Sequence, residues 1–199
     1  MIKLVIVASV ALAFSLTTSA QSMPRQRDEL LQMQERDQAA RDKCNGTADE
    51  QAKCIIKVLE EVDRPHTKRL HEIFNKSGFP NVSQVGSDGV KAFVLLMQHS
   101  GDIELRNKSK VGMKRAFRDK VLSPSEYTNF VDRLLVDQGK LQIYGANFTM
   151  KDGKMVMSPV EDPKNLDKRR KSIGLPPIAE YAKILEEAYK LEVVIPPGN

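Results

Sequence analysis

The segment Gly89–Gly101, Gly-Val-Lys-Ala-Phe-Val-Leu-Leu-Met-Gln-His-Ser-Gly, is the most apolar run outside the extreme N-terminus. Val90, Phe93, Val94 and Met97 recur at the steps that build one buried helix face, and Leu95 and Leu96 widen it. A helix apolar on most sides has to be surrounded, so it belongs at the centre of a bundle. The run stops abruptly at Gln98-His99, which brings His99 to the edge of the core with an acid, Asp102, one turn further on.

The flanking sequence supplies the surrounding helices. Pro24 to Lys43 holds neither Gly nor a β-branched residue, and its proline suits a first helical turn. Leu30, Met33, Gln34, Asp37 and Arg41 share a face that begins apolar and ends polar, and Asp37 with Arg41 reads as an i, i+4 ion pair. Thr47-Ala-Asp-Glu50 is a capping box before a helix expected to bury Cys54, Ile55, Val58, Leu59 and Val62. Pro65 is expected to interrupt it, with Asp63 capping a second helix that carries Leu70, Ile73 and Phe74 and ends at Gly78. His66 and His71 read as surface residues.

A loop over 81–88 leads to the central helix, with Ser87 as its expected cap. A further helix over about 102–120 has Leu105, Val111, Met113 and Phe117 as apolar positions, and the capping box Ser123-Pro-Ser-Glu126 opens the next. That helix bears Tyr127, Phe130, Val131, Leu134 and Leu135, with Asp132 and Arg133 beside its apolar face, and Gly139 closes it. Around Asp152-Gly153 the period changes and predicts a β-hairpin over 141–157. Helices over about 165–173 and 178–190 follow, the last with Ile184, Leu185 and Ala188 inward, and the end from Pro196 on is expected to fray. The expected fold is mainly α, a compact helical bundle with a short β-hairpin between the later helices, forming one domain over residues 21–199.

Residues 1–20 read as a cleaved secretory signal. Lys3 precedes the uncharged apolar run Leu4 to Leu16, and Thr18-Ser19-Ala20 supplies small residues for cleavage. That run is too short to span a bilayer core of about 30 Å. The expected product is secreted and extracellular, with no membrane association after cleavage. An oxidising compartment would join Cys44 to Cys54, a ring that stabilises a fold by roughly 2–3 kcal/mol. Of five sequons, Asn45, Asn75, Asn81 and Asn107 are expected glycan acceptors, whereas Asn147 is expected to stay unmodified beside Tyr144-Gly145. The 31 basic residues are interspersed with 26 acidic ones, and Lys168-Arg169-Arg170-Lys171 lacks interleaved aromatics, so no nucleic-acid partner is expected. No CxxC or HxxxH spacing is present, and no metal or cofactor is expected.

Several polar pieces occur in a fixed order. They are Asp37-Gln38-x-x-Arg41, Gly78-Phe79-Pro80, Val85-Gly86, Ala92-Phe93 followed by Gln98-His99, and Asp132-Arg133. Gly139-x-x-Gln142-x-Tyr144-Gly145 and Asp167-x-Arg169-Arg170-x-x-x-Gly174-Leu175 follow. Together they resemble the family catalogued as domain of unknown function 6624, of largely bacterial distribution and without an assigned activity. The likeness covers roughly residues 30–182. Where this chain has Phe79 the family usually has Trp, which keeps an aromatic anchor. Where it has Ala146-Asn147 the family commonly has Thr-Gln; the change removes a hydroxyl, shortens an amide and leaves room for altered chemistry on a retained fold.

Gln38, Arg41, Gln98, His99, Asp132, Arg133, Gln142 and Tyr144 adjoin apolar stripes. Unpaired burial would cost on the order of 1–3 kcal/mol each, so they pair with one another or line a wet cleft. The first alternative makes a sealed network and a non-catalytic binding or structural module, whose partner is extracellular or a small molecule. This is the expected function. The second makes a hydrolase-type enzyme with His99 as general acid or base, since imidazole ordinarily titrates near about 6.5. Asp132 would then orient His99, Arg41 or Arg133 would hold an anionic group, and Gln142 and Tyr144 would position the reacting atom. With no nucleophile motif in the chain, the chemistry would be water-mediated hydrolysis or proton transfer.

Overall fold

A computed structural model of the chain describes residues 22–196. The expected leader over 1–20 and the end over 197–199 lie outside them. Helix α1 (Pro24–Arg41) packs along α4 (Val82–His99), the central helix, whose Val90, Phe93, Leu96 and Met97 are buried. Around this pair lie α2 (Ala48–Val58), α3 (Arg64–Ser77), α5 (Ile103–Arg118) and α6 (Pro124–Asp137). Leu30, Leu70, Ile73, Leu105, Met113 and Phe130 close the bundle core against α4. Phe79 stands edge-on to Phe93 at 5.5 Å between centroids and fills the space where a side chain on Gly112 would be. That contact gives the Gly-Phe-Pro aromatic its anchoring role.

The chain then leaves the bundle for a second, smaller core. Strands β1 (Phe148–Lys151) and β2 (Lys154–Met157) pair antiparallel with Lys151 opposite Lys154. Both turn residues, Asp152 and Gly153, have positive φ (50° and 75°), as a type I′ hairpin requires. Helices α7 (Leu166–Ser172) and α8 (Ile178–Tyr189) follow, and β3 (Val193–Val194) adds to β2 in parallel. Met157, Val160 and Leu166 are buried among Phe148, Ile178 and Ile195. The fold is therefore mainly α with a small late sheet, as the periodicity predicts.

Local expectations are corrected at several points. The hairpin is shorter than the expected 141–157, since the strands begin at Phe148 and residues 141–147 form a loop apart from one bridge from Gln142 to Val160, and β3 was not anticipated. Helix α2 meets the core only through its end: Val58 is buried, whereas Ile55 and Leu59 are exposed and Cys54 is partly covered. Pro65 does not interrupt the chain, because a π-turn over Leu59–Asp63 absorbs the change of register and leaves the proline in the first turn of α3. Asp63 makes no cap bond, and its side chain is buried. The cap of α4 is Asn81, in a reciprocal box with Gln84, and the helix is broken at Gly86 (φ 73°) before it resumes near the expected Ser87. Val111 and Ile184 face outward, whereas His66 is buried rather than exposed. The expected ring is present, joining Cys44 to Cys54.

Candidate functional site

Most of the polar residues picked out by sequence fall into two separate clusters, while Arg133 and the Gln98 side chain belong to neither and line a cleft. The first is centred on Asp37, on the polar end of the α1 face and fully buried. Arg41, one turn on, donates to Asp37 at 2.6 Å and to both oxygens of Asp63 at 3.0 and 2.7 Å, so one guanidinium ties α1 to the buried acid before α3. Gln38 donates to Asp37 at 2.7 Å. The expected Asp37–Arg41 ion pair is thus part of a larger network.

His99 joins this network from the C-terminal end of α4. Its Nδ1 lies 2.8 Å from Asp37 Oδ2 and 3.1 Å from Oδ1. Burial pushes the Asp37 carboxyl up, but the bond from His99, its charge, Gln38 and Arg41 outweigh burial and hold it below the ordinary carboxylate range. An ionised carboxylate only accepts, so Nδ1 carries a proton and the exchangeable position of the ring is Nε2, an acceptor in the neutral imidazole and a donor in the imidazolium. Nε2 has no protein partner among the described residues and is not sealed off, and the imidazole is 27% exposed. Arg106, buried in α5, donates to the Gln98 carbonyl at 2.7 Å and to Asp137, which pins the end of α4 that carries His99.

Asp132 and Asp102, the acids expected near His99, serve other groups. Asp132 accepts the backbone N–H groups of Ile143, Tyr144 and Ala146 at 2.8 to 3.1 Å. Its burial raises the carboxyl above the ordinary range against the pull of these three donors. Asp102 caps α5 through Leu105 N–H and faces His71 Nε2 at 2.9 Å. The expected orientation of His99 by Asp132 is therefore corrected to orientation by Asp37.

Asp132 anchors the second cluster, which is tied to backbone throughout. Gln142 is fully buried, donates to the carbonyls of Asn147 and Ser158, and accepts from Asn147 N–H at 2.8 Å. Arg170 donates to the Tyr144 and Pro176 carbonyls, and Arg169 to those of Ile143 and Asp162. Tyr144 enters through its backbone. Gln142 and Tyr144 thus shape the loop before the hairpin; the expectation that Gln142 lines a cleft is corrected, because its amide is sealed inside that loop.

Between the bundle and the sheet lies a cleft of about 320 Å³. Gln98 and His99 form one side, Asn129 and Arg133 of α6 another, and Ala146, Asn147 and Phe148 a third, while Tyr181, Leu185 and Tyr189 of α8 close it. Arg133 is 55% exposed, its Nε only 3.6 Å from Asp137. The cleft gathers an imidazole, amides and a guanidinium against an apolar wall. Among the described residues, no group of three acidic, His or Cys side chains is placed to hold a metal.

The two clusters draw on the pieces Asp37-Gln38-x-x-Arg41, Gln98-His99, Asp132-Arg133, Gln142-x-Tyr144 and Arg169-Arg170, and a family model for a family of unknown function, DUF6624, matches residues 24–194. The chain belongs to this family. No curated protein and no solved structure matches it. The DUF6624 match therefore carries no activity with it, and the chemistry has to be read from the cleft.

Several residues of the site were not singled out by sequence. Asp63 looked like a cap, although its place beside the buried Val62 was a signal. Arg106 shares the stripe of Leu105, Ser109 and Met113, so its inward position was readable from helical spacing. Asn129 and Tyr181 carried no local signal; tertiary packing alone brings them to the cleft. Asn147 is 8% exposed with its Nδ2, the atom a glycan would occupy, buried without a partner.

Proposed function

We propose that the cleft is the acid–base site of a secreted protein acting on a small polar ligand. His99, fixed through Nδ1 by Asp37, exchanges a proton with the ligand or an attacking water through Nε2. Arg133 holds an anionic group, and Asn129 and Asn147 position the rest. No Ser, Thr or Cys side chain lines the cleft among the described residues, so water is the attacking group and the class is hydrolysis or proton transfer. The observation that carries this reading is a free imidazole nitrogen at an open cleft, backed by a buried ionised carboxylate. The disulfide and the sequons support secretion, with glycans on Asn45, Asn75, Asn81 or Asn107 rather than on the buried Asn147 amide.

A purely binding role is the second reading. Ala146 and Asn147, which replace the Thr-Gln pair common in the resembling family, both line this cleft. Imidazole ¹⁵N spectra between pH 5 and 8, with a screen of small carboxylic esters and amides, separate the two. The expected result is a proton on Nδ1 of His99, and turnover abolished by His99→Gln in a variant that still unfolds cooperatively. Fragment binding that shifts His99 without turnover favours the binding role. An Nε2–H tautomer that responds to no fragment overturns both.

A further inference from the structure

We propose that the cleft takes an amphiphilic carboxylate, its head between Arg133 and Asn147 beside His99 and its apolar tail lying past Tyr181 into an adjoining hollow. The inference rests on the preceding one only in taking this cleft as the ligand site. Its first support is a donor without an acceptor. Asn147 lines the cleft, is more than nine-tenths buried, and its Nδ2 meets neither solvent nor a protein acceptor. A buried N–H left in this state is costly, and a turn of the Asn147 amide toward an oxygen supplied at the cleft removes the cost.

Arg133 makes the matching demand for charge. The nearby Asp137 carboxylate is already engaged by the buried Arg106, and Arg133 reaches it only at 3.6 Å through Nε, which leaves the terminal nitrogens of the guanidinium for another acceptor. Two donors lining one cleft, one of them cationic, suit a carboxylate, which accepts on both oxygens. The head therefore sits where the chemistry of His99 would be applied.

The tail is read from the adjoining hollow of about 240 Å³, which shares Asn129, Ala146 and Tyr181 with the cleft. Beyond those shared residues its walls include Leu175, Pro176 and Ile184, and Ile184 is 49% exposed. The cation there, Arg170, is already committed: it donates to the Pro176 and Tyr144 carbonyls and lies 4.9 Å from the Tyr181 ring centroid. A charged group gains nothing at this end, whereas an alkyl chain covers Ile184 and Leu175. The two hollows together thus have a polar, donor-rich end and an apolar end.

Butyrate, hexanoate, octanoate and 1-octanol, titrated into the full mature protein and followed by NMR shifts, test the assignment. Affinity should rise about two- to fourfold per methylene from butyrate to octanoate, the increment that hydrocarbon burial supplies. 1-Octanol should bind at least about tenfold more weakly than octanoate, having lost the charge-assisted bonds. Arg133→Ala should weaken every carboxylate, and the uncharged Ile184→Asn should flatten the dependence on chain length. Both positions are exposed, and unfolding midpoints check that each variant is folded. Octanoate binding no tighter than butyrate, or binding insensitive to both substitutions, overturns the proposal. Tail-independent binding that still shifts His99 leaves the acid–base reading standing, whereas no shift of His99 with any anion removes that reading as well.

Discussion

The Asp37 cluster and the Asp132 cluster each set a fully buried carboxylate beside an apolar helix face, yet they connect it differently. All the acceptor capacity of Asp132 goes to backbone N–H groups of one loop, and its neighbours Gln142, Arg169 and Arg170 likewise bond to carbonyls or N–H groups. Asp37 instead accepts from three side chains, one of which, His99, keeps a nitrogen free at the cleft. A polar group whose valences all end on backbone fixes a conformation. A chain of side chains that ends in an open valence can also do chemistry, and that difference separates residues of similar burial into scaffold and site.

The largest effect expected from this contrast is on stability at Asp132. Asp132→Ala leaves three backbone N–H groups of the loop without their acceptor and should cost about 3–5 kcal/mol by urea unfolding. A loss of under about 1 kcal/mol would show that water replaces the carboxylate and that the cluster is not scaffold.

A smaller loss, and a different pattern, is expected at the other cluster. Asp37→Asn should cost about 2–4 kcal/mol, since Arg41 and His99 lose a charged partner. With His99→Gln it should be coupled by about 1–2 kcal/mol, whereas His99→Gln and Asp132→Ala, sharing no partner, should add within about 0.5 kcal/mol. Measurable coupling between His99 and Asp132 would reunite the two clusters and break the comparison.

The smallest effect is a pH dependence on the Asp37 side. His66 is buried with its Nδ1 unpartnered; burial pushes the imidazole down, Arg36 and Arg41 add to this, and Asp37 and Asp63 oppose it. The unfolded chain then binds the proton more readily than the fold. The stability from a neutral His66 is full above the ordinary imidazole value near about 6.5 and is lost as pH falls below it. Asp37, also depressed, holds its contribution above the ordinary carboxyl value and loses it only in the more acid window. A shallow decline in melting temperature between about pH 6.5 and 5 that His66→Gln removes is expected; a decline that Asp37→Asn removes instead would assign it wrongly.

Features governed by neighbours in sequence were legible without the structure. The capping boxes at Thr47 and Ser123 form as their spacing requires, and Asp152-Gly153 turns the hairpin because both residues tolerate positive φ. The α4 stripe is buried because nearly all its faces are apolar. The outward turn of Ile55 and Leu59 was not legible, since a helix held by its end and a disulfide buries less than its pattern offers.

The sequence by itself determined the mainly helical class, most helix starts and stops, and the list of polar residues that had to find partners. Those follow from hydrophobic period, caps and the cost of burying polar groups, which act over a few residues. Only the tertiary structure decided which partners they found. His99 has Asp102 three residues away, yet it bonds to Asp37, 62 residues away, because the packing of α4 along α1 brings the end of one apolar stripe against the polar end of the other. The same packing leaves Nε2 of His99 at the cleft, and the placement of α6 directs Asp132 to the loop before the hairpin, since side-chain pairing depends on how helices cross.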